Sequence, residues 1–261
     1  MRIPRLAALL LLAACGSGPA PAPARYKAMT FNVLYSASFE DVEKSVDAIE
    51  AAKPDVLCLR ELTPRFASAF ERRLGKEYSQ RRLESRQGTW GVGIATRHKL
   101  LRTEVFPERP HRLPAMEADV LVDGHRLKVV CVHLMAPGAR HKKDEGLLES
   151  LPKNAALRDK QGRALMDRYA KVKLPLLLLG DMNETRGGDA MKAFAAAGFT
   201  HACDGPDADC GPTWPVTPGG LLAFTEIDHV LARGLTLSGA QVLQVGGSDH
   251  YPVEARFDFA P

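Results

Sequence analysis

The chain has 261 residues, of which 45% are hydrophobic, 25% charged and 7% aromatic, which excludes a disordered or fibrous protein and suffices for one sizeable core. Lys and Arg number 35 against 31 Asp and Glu, a net charge of +4 that is too small for a dedicated nucleic-acid coat and selects no partner by itself. The 5 cysteines are too few for a disulfide scaffold, and no apolar run reaches the roughly 20 residues of a membrane-spanning helix.

In chain order, the first feature is a short apolar run, Leu6 to Ala14, preceded by Arg2 and Arg5 and closed by Leu12-Ala13-Ala14-Cys15. A basic start, a brief apolar stretch and a small-residue exit are the layout of a secretory signal. The closing residues resemble the bacterial lipobox, in which the leader is cut before the cysteine and the new N-terminal residue, here Cys15, carries lipid; a plain signal with an incidental cysteine is the other reading. Gly16 to Ala24 contains only Gly, Ser, Pro and Ala, the composition of a spacer. The expected division is a leader over 1–14, a lipidated cysteine and linker over 15–27, and a folded domain over 28–261. That domain is expected as a monomer in the bacterial cell envelope, outside the cytoplasm, held to a membrane through the lipid on Cys15. Loss of the leader leaves 33 basic against 31 acidic residues, a charge of +2.

From Tyr26 onward short apolar runs alternate with amphipathic stretches, without repeats or a second linker, so one domain is expected. Lys27 to Val33 reads as a strand ending near Asn32. Ser38 caps a helix with Val42, Val46 and Ile49 as its apolar stripe, and Pro54 marks its end. Asp55 to Leu59 reads as a buried strand that delivers Arg60-Glu61 to its exit, and Pro64 to Leu74 as a helix stopped by Gly75. Strands follow at Glu77–Leu83, Gly91–Thr96 and Leu101–Phe106. Ala115 to Val122 meets the hairpin pair Asp123-Gly124, and His125 to Leu134 returns as an apolar strand containing His133. Pro137 to Lys153 is polar and basic and reads as an exposed loop or short helix. Asn154 to Val172 reads as a long surface helix. Leu176 to Leu179 is a core strand ending in Gly180-Asp181-Met182-Asn183, and Ala190 to Ala197 a helix stopped by Gly198. Strands near Glu226–Ala232, Gly239–Val245 and Val253–Phe259 complete the chain.

Cys58 and Cys131 lie in Val-Leu-Cys-Leu and Val-Val-Cys-Val runs and read as small core hydrophobes. Cys203 and Cys210 bracket a Gly/Pro/Asp loop and either staple it or remain two free thiols. The aspartates at 204, 207 and 209 read either as ligands of a calcium ion or, since they lack EF-hand spacing, preferentially as a solvated loop.

The early βα units and late strands imply a mixed α/β domain with two packed sheets. Asn32, Glu61, His133, Asp181, Asn183 and Asp228 fall at or near strand ends, and Asp249-His250 just before another strand, an arrangement that collects them in a cleft. Any one alone reads as a cap, a turn or a bonded structural residue. Together they are the groups needed to hydrolyse a phosphate ester. Glu61, Asp249 and the Asn32 amide are hard oxygen ligands suited to Mg²⁺, with Mn²⁺ or Ca²⁺ as alternatives, and two histidines supply acid, base or donor functions.

Thr30-Phe31-Asn32, Arg60-Glu61, Val132-His133-Leu134, Gly180-Asp181-Met182-Asn183, Ile227-Asp228-His229-Val230 and Ser248-Asp249-His250-Tyr251-Pro252-Val253 resemble the ordered motifs of the endonuclease/exonuclease/phosphatase superfamily, similar to DNase I in fold. The match runs from Lys27 to Phe259. It implies a four-layered α/β/β/α sandwich with two central mixed sheets and the site at one edge. Carried over, Asn32 and Glu61 hold or position a metal and Asp249 completes its shell. Asp181 aligns or activates the attacking water, and Asn183 bonds the scissile phosphate. His250 serves as general base or phosphate contact, with Asp228 holding its imidazole, and His133 faces the leaving group or a non-bridging oxygen.

Two positions depart from that pattern. The usual Gln-Glu is Arg60-Glu61, whose added cation either meets a phosphate or faces solvent. Thr89-Trp90-Gly91 stands where the DNase I branch has an acidic partner for the first histidine. Trp90 and Trp214 read either as stacking platforms for a base or lipid, or as half-buried core, and Arg140-His141-Lys142-Lys143 either as a phosphate-backbone track or as a solvated loop. The resemblance implies a metal-dependent phosphodiesterase or nuclease, with a sphingomyelinase-like phospholipid hydrolase or inositol-phosphate hydrolase as the alternative. A non-catalytic surface-binding lipoprotein is the third reading; it predicts gaps among Glu61, Asp181, Asn183, Asp228, Asp249 and His250, and none is missing.

Overall fold

The computed structural model describes residues 24–106, 108–205, 207–216 and 224–260. The expected leader, Cys15 and nearly all of the spacer lie outside the described residues. Tyr26 and Lys27, assigned above to the linker, are the first residues of β1 (Tyr26–Asn32). α1 (Phe39–Ala52) is capped by Ser38, whose side chain accepts from the Asp41 amide, and leads to β2 (Val56–Arg60), parallel to β1. α2 (Pro64–Leu74) follows, capped by Thr63 with proline in its first turn; β3 (Gln80–Glu84) and β4 (Val92–Thr96) come next.

The second sheet begins with β5 (Lys99–Val105), the one-turn α3 (Glu108–His111), and the hairpin of β6 (Met116–Val122) and β7 (His125–His133). α4 (Leu147–Tyr169) crosses to the parallel strand β8 (Leu176–Asp181), followed by α5 (Asp189–Ala196), β9 (Thr200–His201) and β10 (Asp228–Arg233). β11 (Leu235–Val242) and β12 (Val253–Phe259) return to the first sheet. The strand orders are β11-β12-β1-β2-β4-β3 and β5-β6-β7-β8-β10-β9.

Alternation along the strands builds the layers. Leu57 and Leu59 of β2 face α1 and α2, while Val56 and Cys58 face the other sheet. On β7 and β8, Val130, Val132, Leu176 and Leu178 pack beneath α4 and α5, while Val129, Cys131, Leu177 and Leu179 join the layer between the sheets. The result is the expected α/β/β/α sandwich.

Three features differ from the sequence reading. Cys58 and Cys131 are joined as a disulfide with Cα atoms 5.5 Å apart, bolting β2 to β7 through the intersheet core; two hydrophobic runs gave no sign that they face each other. Cys203 and Cys210 also pair, resolving the alternatives for that loop. α4 starts at Leu147, seven residues before the expected start at Asn154, and contains Pro152 at its sixth position, where the missing N–H forfeits the intrahelical bond to the Leu148 carbonyl. Its buried stripe includes Ser150, Asn154, Arg158 and Gln161, so apolar periodicity could not reveal it. β11 likewise starts before Gly239, which sits with φ 71° at a bulge rather than at a strand end.

Candidate active site

At the end of the sandwich where β1, β2, β7 and β8 run out, the intersheet row of side chains turns from apolar to charged. Arg60 lies two residues beyond Cys58, His133 two beyond Cys131, and Asp181 two beyond Leu179. Register aligns them: Asn32 is opposite Arg60, and His133, Asp181 and Asp228 are neighbours across three strands. Gly180 permits the close approach of β8 to β7, since a Cβ there would lie 2.2 Å from the Val132 carbonyl oxygen.

The Asn32 amide donates to Glu61 Oε1 and to Asp181 Oδ2, both at 3.2 Å, and lies 3.4 Å from His250 Nε2. Glu61 Oε2 accepts from the Tyr35 amide at 3.1 Å. Glu61 and Asn183 both adopt left-handed backbone, with φ of 56° and 51°, a conformation that costs a non-glycine residue free energy and recurs at functional sites. Asp181 Oδ1 accepts from the Asn183 amide at 2.9 Å. The Asn183 side chain donates to the Leu134 carbonyl at 3.0 Å, leaving its second amide hydrogen for a ligand.

Asp228 is the hub of the buried floor. Its Oδ2 accepts from Thr213 Oγ1 at 2.8 Å and faces His250 Nδ1 at 2.7 Å, while its Oδ1 accepts from Arg60 Nη2 at 2.7 Å. Arg60 also donates to Thr30 Oγ1 and is fully buried. Both expectations for Arg60 therefore fail: it neither faces solvent nor reaches the cleft, because the opposite sheet supplies a carboxylate for it. Ser248 ties the segment before β12 to β1, donating from Oγ to the Asn32 carbonyl at 2.6 Å and accepting from the His250 amide at 3.1 Å. Asp249, half-buried, accepts from Trp214 Nε1 at 3.2 Å.

Burial opposes ionisation of Asp228, but the His250 and Arg60 cations outweigh it and hold the carboxyl at about 2. Burial would likewise depress His250; Asp228 and Asp181 reverse this and lift it to about 9. The Asp181 carboxyl is raised, first by burial and then by the Asp228 charge. Burial drives His133 down to about 4, so it is a neutral imidazole, and its Nδ1 has no hydrogen-bond partner among the described residues. Thr89 to Gly91 supplies it with no carboxylate.

These groups open into a cleft of about 360 Å³, lined by Glu61, His133, Asp181, Asn183, Asp249 and His250 at its base and by Tyr35, Trp90, Leu113, Met135 and Trp214 on its walls. Asp228 sits beneath the cleft, not in it. Trp90 and Trp214 are 44% and 37% exposed, so both are wall residues rather than core. The polar stripe of α4 fixes one wall. Gln161 accepts from the Met135 amide at 3.0 Å, Arg158 donates to the Met135 carbonyl at 2.9 Å, and Asn154 donates to the Pro137 and Ala139 carbonyls at 2.7 and 2.8 Å. Sequence reasoning missed Thr30, Thr213, Ser248 and this stripe; a polar residue recurring at helical spacing was the available signal for the last.

Glu61 and Asp249 line the cleft with the oxygen chemistry that a hard divalent cation requires. Asn32, expected beside them as an amide oxygen ligand, instead turns its amide nitrogen to Glu61 and Asp181, and its Oδ1 accepts from the Leu34 amide at 3.2 Å. Asp181, Asp228 and His250 bring ligand atoms within 4.8 Å of one another. A second grouping, His201, Cys203 and Glu226, lacks a thiolate because Cys203 is in a disulfide.

The profile described as the Endonuclease/Exonuclease/phosphatase family matches residues 29–250. The chain belongs to the endonuclease/exonuclease/phosphatase family. It is thus a phosphoester hydrolase at the level of that superfamily. Family structures agree in fold. D. rerio TDP2 complexed with a single-strand DNA product is 18% identical with a TM-score of 0.68, over 89% of this chain and 98% of that one. A mannosyl-6-phosphatase of Bacteroides thetaiotaomicron VPI-5482 is 13% identical with a TM-score of 0.69, over 90% of this chain and 100% of that one. A family protein from Leptotrichia buccalis C-1013-b is 17% identical with a TM-score of 0.69, over 90% and 100%. Among curated proteins, none matches the chain.

Proposed function

We propose that this family member is a metal-dependent phosphodiesterase of the nuclease type that acts outside the cytoplasm. The observation that carries the reading is the in-register row His133, Asp181 and Asp228, completed by Asn32, Glu61, Asn183 and His250, at the base of an aromatic-walled cleft. Glu61 and Asp249, with Asn32 beside them, would hold the cation, and Mg²⁺, Mn²⁺ or Ca²⁺ there would offset charge developing on a phosphoryl oxygen. Asp181, its carboxyl raised and oriented by the Asn183 amide, takes the proton of the attacking water as the new P–O bond forms. His250, an imidazolium over Asp228, donates from Nε2 to a non-bridging oxygen. Neutral His133 and the free Asn183 amide hydrogen face the same phosphate as the bond to the leaving oxygen breaks.

Nucleic acid fits the walls. Exposed Trp90 and Trp214 offer faces to a base, and Arg140, Lys142 and Lys143 are exposed on the loop that brings Ala139 to the cleft. TDP2 with its single-strand DNA product is a precedent on this fold. Leu113 and Met135 also suit an acyl chain, which keeps the phospholipid reading as the second. The path of β1 weighs against that reading: its seven residues separate Tyr26 from the Asn32 end by about 20 Å, so an anchor upstream joins the domain opposite the cleft. Two disulfides support an oxidising compartment, and the Leu12-Ala13-Ala14-Cys15 motif supports a lipid on Cys15.

The test is hydrolysis of single- and double-stranded DNA, RNA, sphingomyelin and phosphoinositides with each cation. Cleavage of polynucleotide, lost with EDTA and with His250→Ala, is expected. Cleavage of lipid alone would replace the first reading with the second, and activity that survives both EDTA and His250→Ala would end the mechanism. Mass spectrometry of the N-terminal peptide, with Cys15→Ser as control, tests the anchor.

A further inference from the structure

A fully buried guanidinium is costly unless its charge and donors are matched. Arg60 is matched unevenly: Nη2 reaches Asp228 Oδ1 at 2.7 Å, Nη1 reaches Thr30 Oγ1, and Nε has no partner among the described residues. Burial pulls its pKa down while Asp228, Asp181 and Glu61 oppose this, and arginine starts so high that it remains a cation. It is too deep to touch a ligand in the cleft, so its effect has to pass through Asp228.

Both oxygens of Asp228 are engaged by the protein. Oδ1 belongs to Arg60, and Oδ2 is shared by His250 Nδ1 at 2.7 Å and Thr213 Oγ1 at 2.8 Å. Asp228 nevertheless lies in the one described carboxylate–histidine group of the cleft whose ligand atoms converge within 4.8 Å. Without the guanidinium, Asp181 and Asp228 would be two adjacent buried carboxylates sharing one imidazole, an arrangement that attracts a divalent ion. With it, an ion there would have to displace Arg60 from Oδ1 and sit beside a buried positive charge.

We propose that Arg60 is a positioning residue that reserves Asp228 for His250 and keeps the Asp181–Asp228–His250 group free of metal, so that the cleft takes a single divalent ion on its Glu61 and Asp249 side. The proposal rests on the metal-dependent reading above, but its test needs no substrate. Arg60→Lys retains the charge and Arg60→Gln removes it.

The experiment is calorimetric titration of Mn²⁺ into the metal-free full chain, with thermal unfolding as a check that each variant is folded. One ion per chain is expected for the unsubstituted protein and for Arg60→Lys, two for Arg60→Gln, and one again for Arg60→Gln combined with Asp228→Asn. Kinetics supply a second readout: Arg60→Gln lowers kcat about tenfold to a hundredfold with KM nearly unchanged, and Arg60→Lys recovers part of the loss. Two ions in the unsubstituted protein, or one ion in folded Arg60→Gln, would overturn the proposal, as would a loss in Arg60→Gln that falls on KM alone. A chain that binds one ion and hydrolyses no phosphoester leaves the Arg60 assignment standing while ending the hydrolase reading; an active chain that binds two ions does the reverse.

Discussion

The layer between the sheets has two ends made by the same strands, and they obey opposite rules. At one end Cys58, Cys131, Leu177 and Leu179 form a buried apolar stack closed by a disulfide. Two residues further along each strand, the same row becomes Arg60, His133 and Asp181, where every group is charged or polar and still buried. The difference teaches how the site is held: its floor is the continuation of the core, and the disulfide joins β2 to β7 directly below Arg60 and His133. Stability and chemistry alternate along a strand with a spacing of two residues, so neighbouring substitutions should have unlike consequences.

The largest expected effect is at the charged end. Asp181→Asn should lower kcat about a thousandfold, the scale of a lost proton acceptor. It should leave the protein as stable or more so, because the carboxyl is raised by burial and by Asp228 and its removal relieves that repulsion. Thermal unfolding beside single-turnover kinetics checks both; a large drop in Tm would show that Asp181 belongs to the core and not to the chemistry.

The apolar end should behave in reverse. Replacing Cys58 and Cys131 together by serine opens a cross-link spanning 73 residues and should cost about 2–5 kcal/mol, read by denaturant unfolding. The folded fraction should keep its kcat within about tenfold. A collapse of kcat without loss of stability would mean that the cross-link sets the geometry of Arg60 and His133 and that the two ends are one unit.

A smaller effect belongs to the walls. Trp90→Ala should raise KM for a single-stranded oligonucleotide by the equivalent of about 1–3 kcal/mol, the worth of one stacked base, with kcat little changed. An unchanged KM would return Trp90 to the status of an exposed aromatic without a ligand.

What the sequence disclosed follows the same division. Asn32, His133 and Asp181 were visible because each ends or closes an apolar run, and the two parallel pairs β1–β2 and β7–β8 place those ends side by side. Arg60 was visible as a departure but its burial was not, since its partner Asp228 lies 168 residues away in the other sheet. Cys58 and Cys131 were each assigned correctly to the interior, yet nothing local says that two interior rows face each other. The start of α4 stayed hidden because its inward stripe bonds to loop carbonyls, and those carbonyls exist only once the chain is folded around it.

The smallest expected effect concerns a part of the scaffold away from the cleft. Burial lowers His201 to about 3, with the facing His229 adding to the shift. His201 Nδ1 accepts from the Cys203 amide at 3.0 Å, so its proton is on Nε2, 2.8 Å from His229 Nδ1; His229 Nε2 then donates to the Glu184 carbonyl at 2.9 Å. A second proton on His201 would have to enter at Nδ1 and break the bond from Cys203. The unfolded chain takes up that proton as pH falls through the ordinary histidine value of 6.5, while the folded chain resists it until about 3. The contribution to stability is therefore intact above pH 6.5 and erodes below it, by about 1 kcal/mol for each further unit of acidity. Unfolding by urea between neutral pH and about pH 5.5, in the parent and in His201→Gln, isolates this slope. The parent should lose about 1 kcal/mol more than the variant over that range, and equal losses would remove His201 from the acid response.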